Sequence, residues 1–165
     1  MHHNRHKQTE ALERARKIQM LLCDVDGVFT DGGLFYDSQG RVSKRFHVHD
    51  GFGVKLAQSS GLRIGVITGL QSEAVKLRME ELGIQEYHAG YRRKVELLPG
   101  ICSRNGLQEE ELAFLGDDWV DASLLVRVGL PMAVANARKE ILDLALWVSP
   151  HDGGDGAVRD AVSFI

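Results

Sequence analysis

The sequence predicts an α/β protein built as a three-layer, Rossmann-like parallel sheet with helices on both faces. Short apolar segments alternate with helical patterns along the chain, as they do in βαβ units. Clusters of Asp and Gly directly follow several apolar segments, at the position where open α/β sheets bind ligands. The 165 residues fit one domain, which we place at residues 18–165, after an N-terminal tail and short helix at residues 1–17.

The composition excludes several classes of protein. Hydrophobic residues make up 44% of the chain and charged residues 26%, as in ordinary globular proteins. The net charge of −3 argues against a nucleic acid partner, and no apolar run approaches the ~20 residues of a membrane-spanning helix. Cys23 and Cys102 lie in apolar surroundings and are expected to be free thiols. Because no secretory pattern is visible either, we expect a cytoplasmic protein without a membrane partner.

The N-terminal residues are rich in Arg and Lys and include His2, His3 and His6. We interpret them as a solvated tail that leads into a short helix over residues 9–17. A metal-binding tract or an arm for an anionic partner is the alternative, but histidines in a flexible segment lack a fixed ligand geometry.

Five strands with intervening helices are predicted in the remainder. The first strand, at residues 18–23, is apolar apart from Gln19, as expected for a strand buried on both faces. The other strands are predicted at residues 63–67, 113–115, 132–134 and 146–148. Glycines at C-caps end the helices predicted at residues 51–60, 72–82 and 120–128, which precede Gly61, Gly83 and Gly129. Pro99 should kink or split a further helix over residues 94–104.

A β-hairpin is predicted at about residues 33–46, where the alternation of strands and helices is interrupted. Two short strand patterns flank the turn sequence Asp-Ser-Gln-Gly at residues 37–40. Because the hairpin directly follows the first strand and its loop, we expect it to form a flap over the site at that end of the sheet.

Polar side chains follow three of the predicted strands. They are Asp24 and Asp26 after the first strand, Thr68 and Gly69 after the second, and Asp117 and Asp118 after the third. The carboxyl ends of parallel strands meet at one edge of a sheet, and clustered carboxylates suit Mg²⁺. An ionised Asp can attack phosphorus while a second carboxyl group transfers a proton. An isolated Asp-x-Asp is more typical of a turn or helix cap, but a second Asp cluster at another strand end favours a phosphoryl-transfer site. Three basic residues, at positions 92–94, are candidates for the required cation.

The segments at residues 24–32, 67–69 and 116–121, together with Lys94, resemble the four motifs of the haloacid dehalogenase superfamily of phosphatases in order and spacing. Within it, residues 15–165 resemble the small cap-less subfamily of 3-deoxy-D-manno-octulosonate 8-phosphate (Kdo-8-phosphate) phosphatases. The resemblance implies that Asp24 is the nucleophile and Asp26 the general acid and base. It also implies that Thr68 and Lys94 bind the transferring phosphoryl group.

The resemblance further implies a Mg²⁺ cofactor and a phosphorylated sugar acid as substrate. Asp24, the main-chain carbonyl of Asp26, and Asp117 would hold the ion, with Asp118 supporting them. Substrate contacts are implied for the loop glycines Gly27 and Gly69 and for Arg78 and Arg159. Arg78 would bind the sugar-acid carboxylate, and Arg159 either enters a neighbouring site or is surface charge. Members of the subfamily form homotetramers in which hairpins build a central barrel and a neighbour closes each site.

Three positions depart from the Kdo-8-phosphate pattern. Leu70 replaces an Arg, or the Glu that is common in phosphatases of 2-keto-3-deoxy-nononate 9-phosphate, while His49 and Asp155 also stand where Arg is usual. The nononate phosphate is therefore an alternative substrate. The glycines at residues 153, 154 and 156 predict a loose tail that could reach a neighbour.

Three other functions compete with the phosphatase. A phospho-acceptor receiver domain also uses carboxylates, Mg²⁺, a Thr and a Lys, but its acidic pair is typically adjacent in sequence. A non-catalytic homologue is disfavoured because the catalytic residue types are intact. A transition-metal site with the histidines at positions 47, 49, 88 and 151 is disfavoured because they lack the usual ligand spacing.

Overall fold

A computed structural model describes the backbone of the protein from residue 2 and its side chains from residue 6. The eight strands are β1 (Met20–Cys23), β2 (Phe35–Tyr36), β3 (Val42–Ser43), β4 (Arg63–Thr68), β5 (Glu86–Ala89), β6 (Leu112–Gly116), β7 (Leu130–Ala133) and β8 (Trp147–Val148). The seven α-helices of the described residues are α1 (His2–Ala15), α2 (Val48–Ser59), α3 (Glu73–Leu82), α4 (Leu98–Asn105), α5 (Ala122–Leu125), α6 (Lys139–Leu144) and α7 (Ala157–Phe164). None of these helices is both long enough and apolar enough to cross a bilayer.

Six of the strands form one parallel sheet with the order β5-β4-β1-β6-β7-β8, which confirms the predicted fold class. Strand β1 lies near the centre and pairs with both β4 and β6. Its four residues are buried because neighbouring strands and covering helices enclose it, as its continuous apolar sequence predicts. The carboxyl ends of β1, β4 and β6 therefore meet at one edge of the sheet.

The strand missed in the sequence is β5, at the edge of the sheet. Its sequence Glu-Tyr-His-Ala has no apolar run, and all four residues are only half-buried. Strand β1 begins at Met20 rather than at residue 18, and the remaining predicted strands are confirmed within three residues.

The N-terminal segment differs from the predicted tail and helix. Helix α1 covers His2–Ala15 and ends two residues before the predicted boundary. Ala11 and Ala15 belong to the core, and Arg14 donates a hydrogen bond to the carbonyl of Gly129 at 2.9 Å. The segment therefore packs on the domain over these residues. The side chains of His2 and His3 lie outside the described residues.

The three predicted helix ends agree with the structure to different degrees. Gly83 caps α3 with a φ of 72°, as predicted. The third predicted helix, at residues 120–128, is instead a 3₁₀ turn (Trp119–Asp121) followed by the short α5. Gly129 does not cap it: a Cβ atom there would lie 2.0 Å from the carbonyl oxygen of Glu110, so glycine permits a close approach of two backbones.

The end predicted for the first helix, at residues 51–60, is nearly correct. Helix α2 has Ser60 as its C-cap, and Gly61 follows with a φ of 87°. The split expected near Pro99 is also confirmed. A 3₁₀ turn (Lys94–Leu97) precedes α4, and Pro99 lies in the first turn of that helix, where proline is tolerated. Cys23 and Cys102 are free thiols, as expected.

The predicted hairpin is confirmed by the antiparallel pairing of β2 with β3. In its turn the Asp37 carboxylate accepts hydrogen bonds from the N–H groups of Gln39 and Arg41, both at 2.9 Å. Phe35 and Tyr36 are 60% and 67% exposed, so this small sheet keeps its aromatic side chains in solvent.

The glycine-rich segment near the C-terminus is not the loose tail that its composition predicts. Gly153 donates a hydrogen bond to the Asn136 side chain at 3.0 Å, and Gly154 donates one to the carbonyl of Val28 at 2.9 Å. Helix α7, which was not predicted, then packs on α2 with Ala157, Val158 and Ala161 buried.

Candidate active site

Asp24 is the first residue after β1, and the sheet itself fixes its position. Its N–H donates a hydrogen bond to the carbonyl of Leu115 on β6 at 3.1 Å, which extends the ladder by one residue. The loop that follows closes on Thr30, a buried residue whose functional signal we missed in the sequence. The Thr30 hydroxyl oxygen accepts hydrogen bonds from Gly27 and Gly32 at 3.4 and 3.2 Å. These contacts hold the Asp24 loop in one shape.

Lys94 lies between two carboxylates at the centre of the site. Its Nζ is 2.7 Å from Asp24 Oδ1 and 2.7 Å from Asp121 Oδ1, and the residue is completely buried. Burial opposes the charged form, but both carboxylates favour it, and the pKa of Lys94 is raised above its ordinary value. Lys94 is therefore a fixed positive charge beside the candidate nucleophile, in agreement with its proposed role.

Asp121 is a site residue to which the sequence reasoning assigned no role. Besides the bond from Lys94, its Oδ2 accepts hydrogen bonds from the N–H groups of Asp117 and Asp118 at 3.0 and 3.4 Å. Asp121 thus orders both the cation and the loop after β6. Its position in the Gly-Asp-Asp-x-x-Asp segment was the available signal.

Asp24, Asp117 and Asp121 have carboxylate oxygens that lie within 4.8 Å of one another, the only such group among the described residues. Burial and the nearby negative charge of Asp121 raise the pKa of Asp24 to about 7, although Lys94 opposes this shift. Burial, followed by the charges of Asp24, Asp121 and Asp118, raises the pKa of Asp117 to about 8. The ionised forms of these two carboxyl groups are therefore unfavourable without a counter-ion. Their oxygens suit a hard cation, which would stabilise the ionised forms.

The surroundings of Asp117 also fit a metal ion. Its Oδ1 is buried and has no hydrogen-bond partner among the described residues. A Cβ atom on Gly27 would lie 2.0 Å from Asp117 Oδ2, so the glycine lets the Asp24 loop approach this carboxylate. Asp117 therefore presents a free oxygen to the site, as a metal ligand must.

The carboxylates of two residues predicted for the metal site, Asp118 and Asp26, contact groups of the protein. Asp118 accepts a hydrogen bond from the N–H of Trp119 at 2.8 Å and so caps the 3₁₀ turn. Asp26 forms an ion pair with Lys44, which follows β3 at the base of the hairpin. The Lys44 side chain is only 2% exposed, so the hairpin delivers a buried cation to the Asp26 carboxylate. No local sequence pattern indicates this role for Lys44, because the ion pair depends on how the hairpin folds back.

Thr68 is the last residue of β4, and Gly69 follows it beside this cluster, as predicted. Thr68 is 1% exposed, and its main-chain carbonyl accepts hydrogen bonds from Gly90 and Tyr91 at 2.9 and 3.2 Å. These bonds bring the segment before Lys94 to the end of β4. The result is a cleft of about 420 Å³ lined by Asp24, Asp26, Thr68, Gly69, Leu70, Arg92, Lys94, Asp117, Asp118 and Val120.

Arg78 and Arg159, the predicted substrate-binding arginines, have other contacts within the chain. Arg78 pairs with Glu81 at 2.8 Å, and its Cζ lies 5.9 Å from the centre of the Phe46 ring. The guanidinium of Arg159 packs over Phe52 at 5.2 Å. Neither belongs to the set of residues lining the cleft within one chain.

The four histidines considered for a transition metal also lie outside the carboxylate group of the described residues. His88 pairs with Glu86 at 2.5 Å, and His151 pairs with Asp160 at 2.7 Å. The acidic cluster at the strand ends is therefore the candidate metal centre.

Comparisons with known proteins agree with this geometry. Residues 89–160 match the family of haloacid dehalogenase-like hydrolases. The chain is 35% identical to 3-deoxy-D-manno-octulosonate 8-phosphate phosphatase from Yersinia pestis over 94% of this chain and 83% of that protein. A protein from Legionella pneumophila assigned to subfamily III A of the haloacid dehalogenase superfamily superposes with a TM-score of 0.95 at 40% identity, covering 99% of this chain and 90% of the other.

A third relative was solved with ligands. The 3-deoxy-D-manno-octulosonate 8-phosphate phosphatase from Moraxella catarrhalis, in complex with a magnesium ion, a phosphate ion and KDO, superposes with a TM-score of 0.90 at 32% identity and covers 93% of this chain and 88% of its own. These similarities extend over nearly the whole chain and include the strand ends that carry the acidic cluster. The protein belongs to the haloacid dehalogenase-like hydrolases and is a phosphoric monoester hydrolase related to the 3-deoxy-D-manno-octulosonate 8-phosphate phosphatases.

Proposed function

We propose that the protein hydrolyses a phosphorylated 2-keto-3-deoxy sugar acid, with Kdo-8-phosphate as the leading substrate. The observation that carries the proposal is the buried Asp24 carboxylate, which lies at the end of β1 between Lys94 and the free oxygen of Asp117. The relative from Moraxella catarrhalis, bound to magnesium, phosphate and KDO, supports the same substrate class. A cytoplasmic location and a place in lipopolysaccharide precursor synthesis would accompany this activity.

The reaction would begin with attack of an Asp24 carboxylate oxygen on phosphorus. The new oxygen–phosphorus bond forms as the bond to the sugar oxygen breaks, and Asp26 donates a proton to that leaving oxygen. Water then attacks the phosphorus of the aspartyl-phosphate, Asp26 takes up a proton from it, and inorganic phosphate leaves. Lys94 assists by favouring the ionised form of Asp24. Thr68 and the N–H groups near Gly27 and Gly69 would bind the phosphoryl oxygens.

The donor set fits a Mg²⁺ cofactor. Asp24, Asp117 and the main-chain carbonyl of Asp26 would hold the ion, while Asp118 and Asp121 would order the loop that carries Asp117. When bound, the cation would neutralise negative charge on the phosphoryl group and on the carboxylates. Before proton transfer, Asp26 would exchange its ion pair with Lys44 for a contact with the leaving oxygen.

Self-association as a homotetramer would complete this site. The hairpin exposes Leu34, Phe35 and Tyr36 by 45%, 60% and 67%, which is typical of a surface that another chain covers. Arg78 and Arg159 stay proposed substrate contacts, Arg159 for a site on a neighbouring subunit.

A phosphatase for 2-keto-3-deoxy-nononate 9-phosphate is the second candidate. Leu70 keeps this substrate as an alternative, because Leu70 lines the cleft and carries neither the charge of the usual Arg nor that of the Glu common in the nononate enzymes. The two substrates differ by one carbon of the chain, so they would compete for the same cleft.

The test is a measurement of phosphate release with Mg²⁺ from Kdo-8-phosphate, 2-keto-3-deoxy-nononate 9-phosphate and neutral hexose phosphates. We expect the sugar acids to have the highest kcat/KM, with one of the two acids preferred. Equal kcat/KM for all substrates would refute the substrate class and leave the phosphatase assignment intact. A stably phosphorylated protein without repeated turnover would instead support a phospho-acceptor receiver.

A further inference from the structure

One basic side chain in the catalytic cleft, that of Arg92, takes no part in the proposed phosphoryl transfer. Arg92 lines the cleft together with Leu70 and Val120, and it is exposed to solvent. Its backbone position is fixed, because the preceding residues Gly90 and Tyr91 donate hydrogen bonds to the carbonyl of Thr68. The guanidinium group is therefore attached two residues from Lys94, next to the strand end that carries the phosphate-binding Thr68.

Arg92 differs from the neighbouring cations in having no carboxylate partner among the described residues. Lys94 contacts Asp24 and Asp121, and Lys44 pairs with Asp26. Arg93, the next residue, pairs with Glu96 at 3.0 Å. Of the two described basic residues that line the cleft, Lys94 is held by carboxylates, and Arg92 keeps its donors free for a ligand.

The cleft is larger than a phosphoryl group needs. The deep end of its roughly 420 Å³ contains Asp24, Thr68 and Lys94, all of them buried. The remaining part of a bound substrate must lie toward the exposed side, where Leu70 is 50% and Val120 47% exposed. These apolar side chains lower the local dielectric around an ion pair and so strengthen it.

We propose that Arg92, in place of Arg78, is the specificity-determining residue that binds the carboxylate of the sugar-acid substrate. Arg92 lines the cleft, whereas Arg78 pairs with Glu81 outside that lining. The inference rests on the proposed function, since it requires a substrate with a carboxylate at the end opposite the phosphate. A guanidinium can donate two parallel hydrogen bonds to a carboxylate, which fixes orientation as well as charge. Arg92 would thus select sugar acids over neutral sugar phosphates, at a cleft where Leu70 supplies no charge.

The experiment compares Arg92→Met, Arg92→Lys and the control Arg93→Met, which removes the adjacent exposed arginine that is paired with Glu96. Each variant is assayed with Mg²⁺ on Kdo-8-phosphate and on glucose 6-phosphate, which has no carboxylate. Arg92→Met removes a hydrogen-bonded charged contact. We therefore expect kcat/KM for the sugar acid to fall by roughly 10- to 100-fold, chiefly through an increase in KM. Turnover of glucose 6-phosphate should fall by less than about threefold, since it lacks the recognised group.

Arg92→Lys should recover part of the preference for the sugar acid, because lysine keeps the charge and loses the paired donors. Arg93→Met should leave kcat/KM unchanged for both substrates. Equal losses on both substrates would overturn the inference, since they would place Arg92 on the phosphoryl group. An Arg92→Met enzyme that behaves like Arg93→Met would overturn it as well. A wild-type enzyme without preference for the sugar acid would refute the proposed function, and the inference with it.

Discussion

At the scale of single residues, the site depends on an imbalance of buried charge. Asp24 and Asp121 share the single cation Lys94, and Asp117 adds a third carboxylate nearby. When all three are ionised, the protein alone leaves negative charge uncompensated in a buried place, which is unfavourable and raises the pKa of Asp24 and Asp117. A divalent cation would offset this charge and the further negative charge that the phosphoryl group brings. Three predictions follow from these charges.

Asp24→Asn should abolish phosphate release and leave the fold intact. The amide cannot form the aspartyl-phosphate, so we expect turnover to fall by at least about a thousandfold. Above pH ~7 the variant should be as stable as the wild type or more stable, because burial disfavours the ionised Asp24 carboxylate that it removes. Phosphate assays and thermal unfolding test both expectations. Undiminished phosphate release would refute the assignment of the nucleophile.

Lys94→Met should destabilise the protein strongly as well as inactivate it. The substitution leaves the buried carboxylates of Asp24 and Asp121 without their cation, and breaking a buried pair costs about 3–5 kcal/mol. Urea unfolding would measure this loss. Lys139→Met is the matched control, because Lys139 forms an exposed pair with Asp143 and its loss should leave stability unchanged. Similar unfolding midpoints for the two variants would contradict the prediction.

Stabilisation by Mg²⁺ should increase with pH. The pKa values of Asp24, about 7, and Asp117, about 8, are raised in the folded protein. Their protonated forms favour folding, so the metal-free protein should lose stability as the pH rises through this range. Mg²⁺ binds the ionised carboxylates and should reverse the loss. Unfolding temperatures with EDTA and with Mg²⁺ at pH about 6 and about 8.5 test this. A larger Mg²⁺ effect at the lower pH would contradict it.

At the scale of elements, the loop after β1 is held by a segment more than a hundred residues away. Gly154 donates a hydrogen bond to Val28, and Gly153 lies directly against Gly27. The C-terminal glycines therefore permit close packing against the loop that follows Asp24. The sequence showed their number but not their partner, because glycine composition alone also fits a loose tail.

Gly153→Ala should reduce kcat by displacing the Asp24 loop. A Cβ atom at residue 153 would lie 1.7 Å from the carbonyl oxygen of Gly27, so one backbone must move. Small displacements at a reacting centre cost on the order of 100-fold in rate. Gly61→Ala is the control: its φ of 87° makes alanine unfavourable by about 1–2 kcal/mol, but no atom lies within 4 Å of the added carbon. A normal kcat in Gly153→Ala would contradict the proposed packing role.

At the scale of the whole molecule, the hairpin differs from the rest of the fold because its aromatic side chains are exposed in the single chain. Phe35→Ser combined with Tyr36→Ser should convert the expected tetramer into smaller species, because the substitutions remove apolar area from the proposed interface. Activity should fall with it, since a neighbour is expected to close the site. Sedimentation and phosphate assays test this, with Leu77→Ser, which changes a 58% exposed residue on α3, as control. An unchanged oligomeric state would refute the hairpin interface.

The sequence by itself determined the parallel sheet and most of the polar residues that meet at its carboxyl edge. The apolar run at β1 and the polar residues that follow β1, β4 and β6 are local patterns, and parallel strands necessarily bring their carboxyl ends to one edge. The edge strand β5 escaped prediction because a half-buried strand needs no apolar run.

Only the tertiary structure decided which groups meet around those residues. It placed Asp121 on Lys94, brought Lys44 to Asp26 and packed Gly153 against the loop after Asp24. It also left Arg92 at the cleft without an ion-pair partner among the described residues. Each of these contacts joins residues that are distant in sequence, and each depends on how loops and the hairpin fold back across the sheet. Local sequence patterns encode where a strand ends, whereas the ion pairs and close backbone approaches at that end arise from packing between segments.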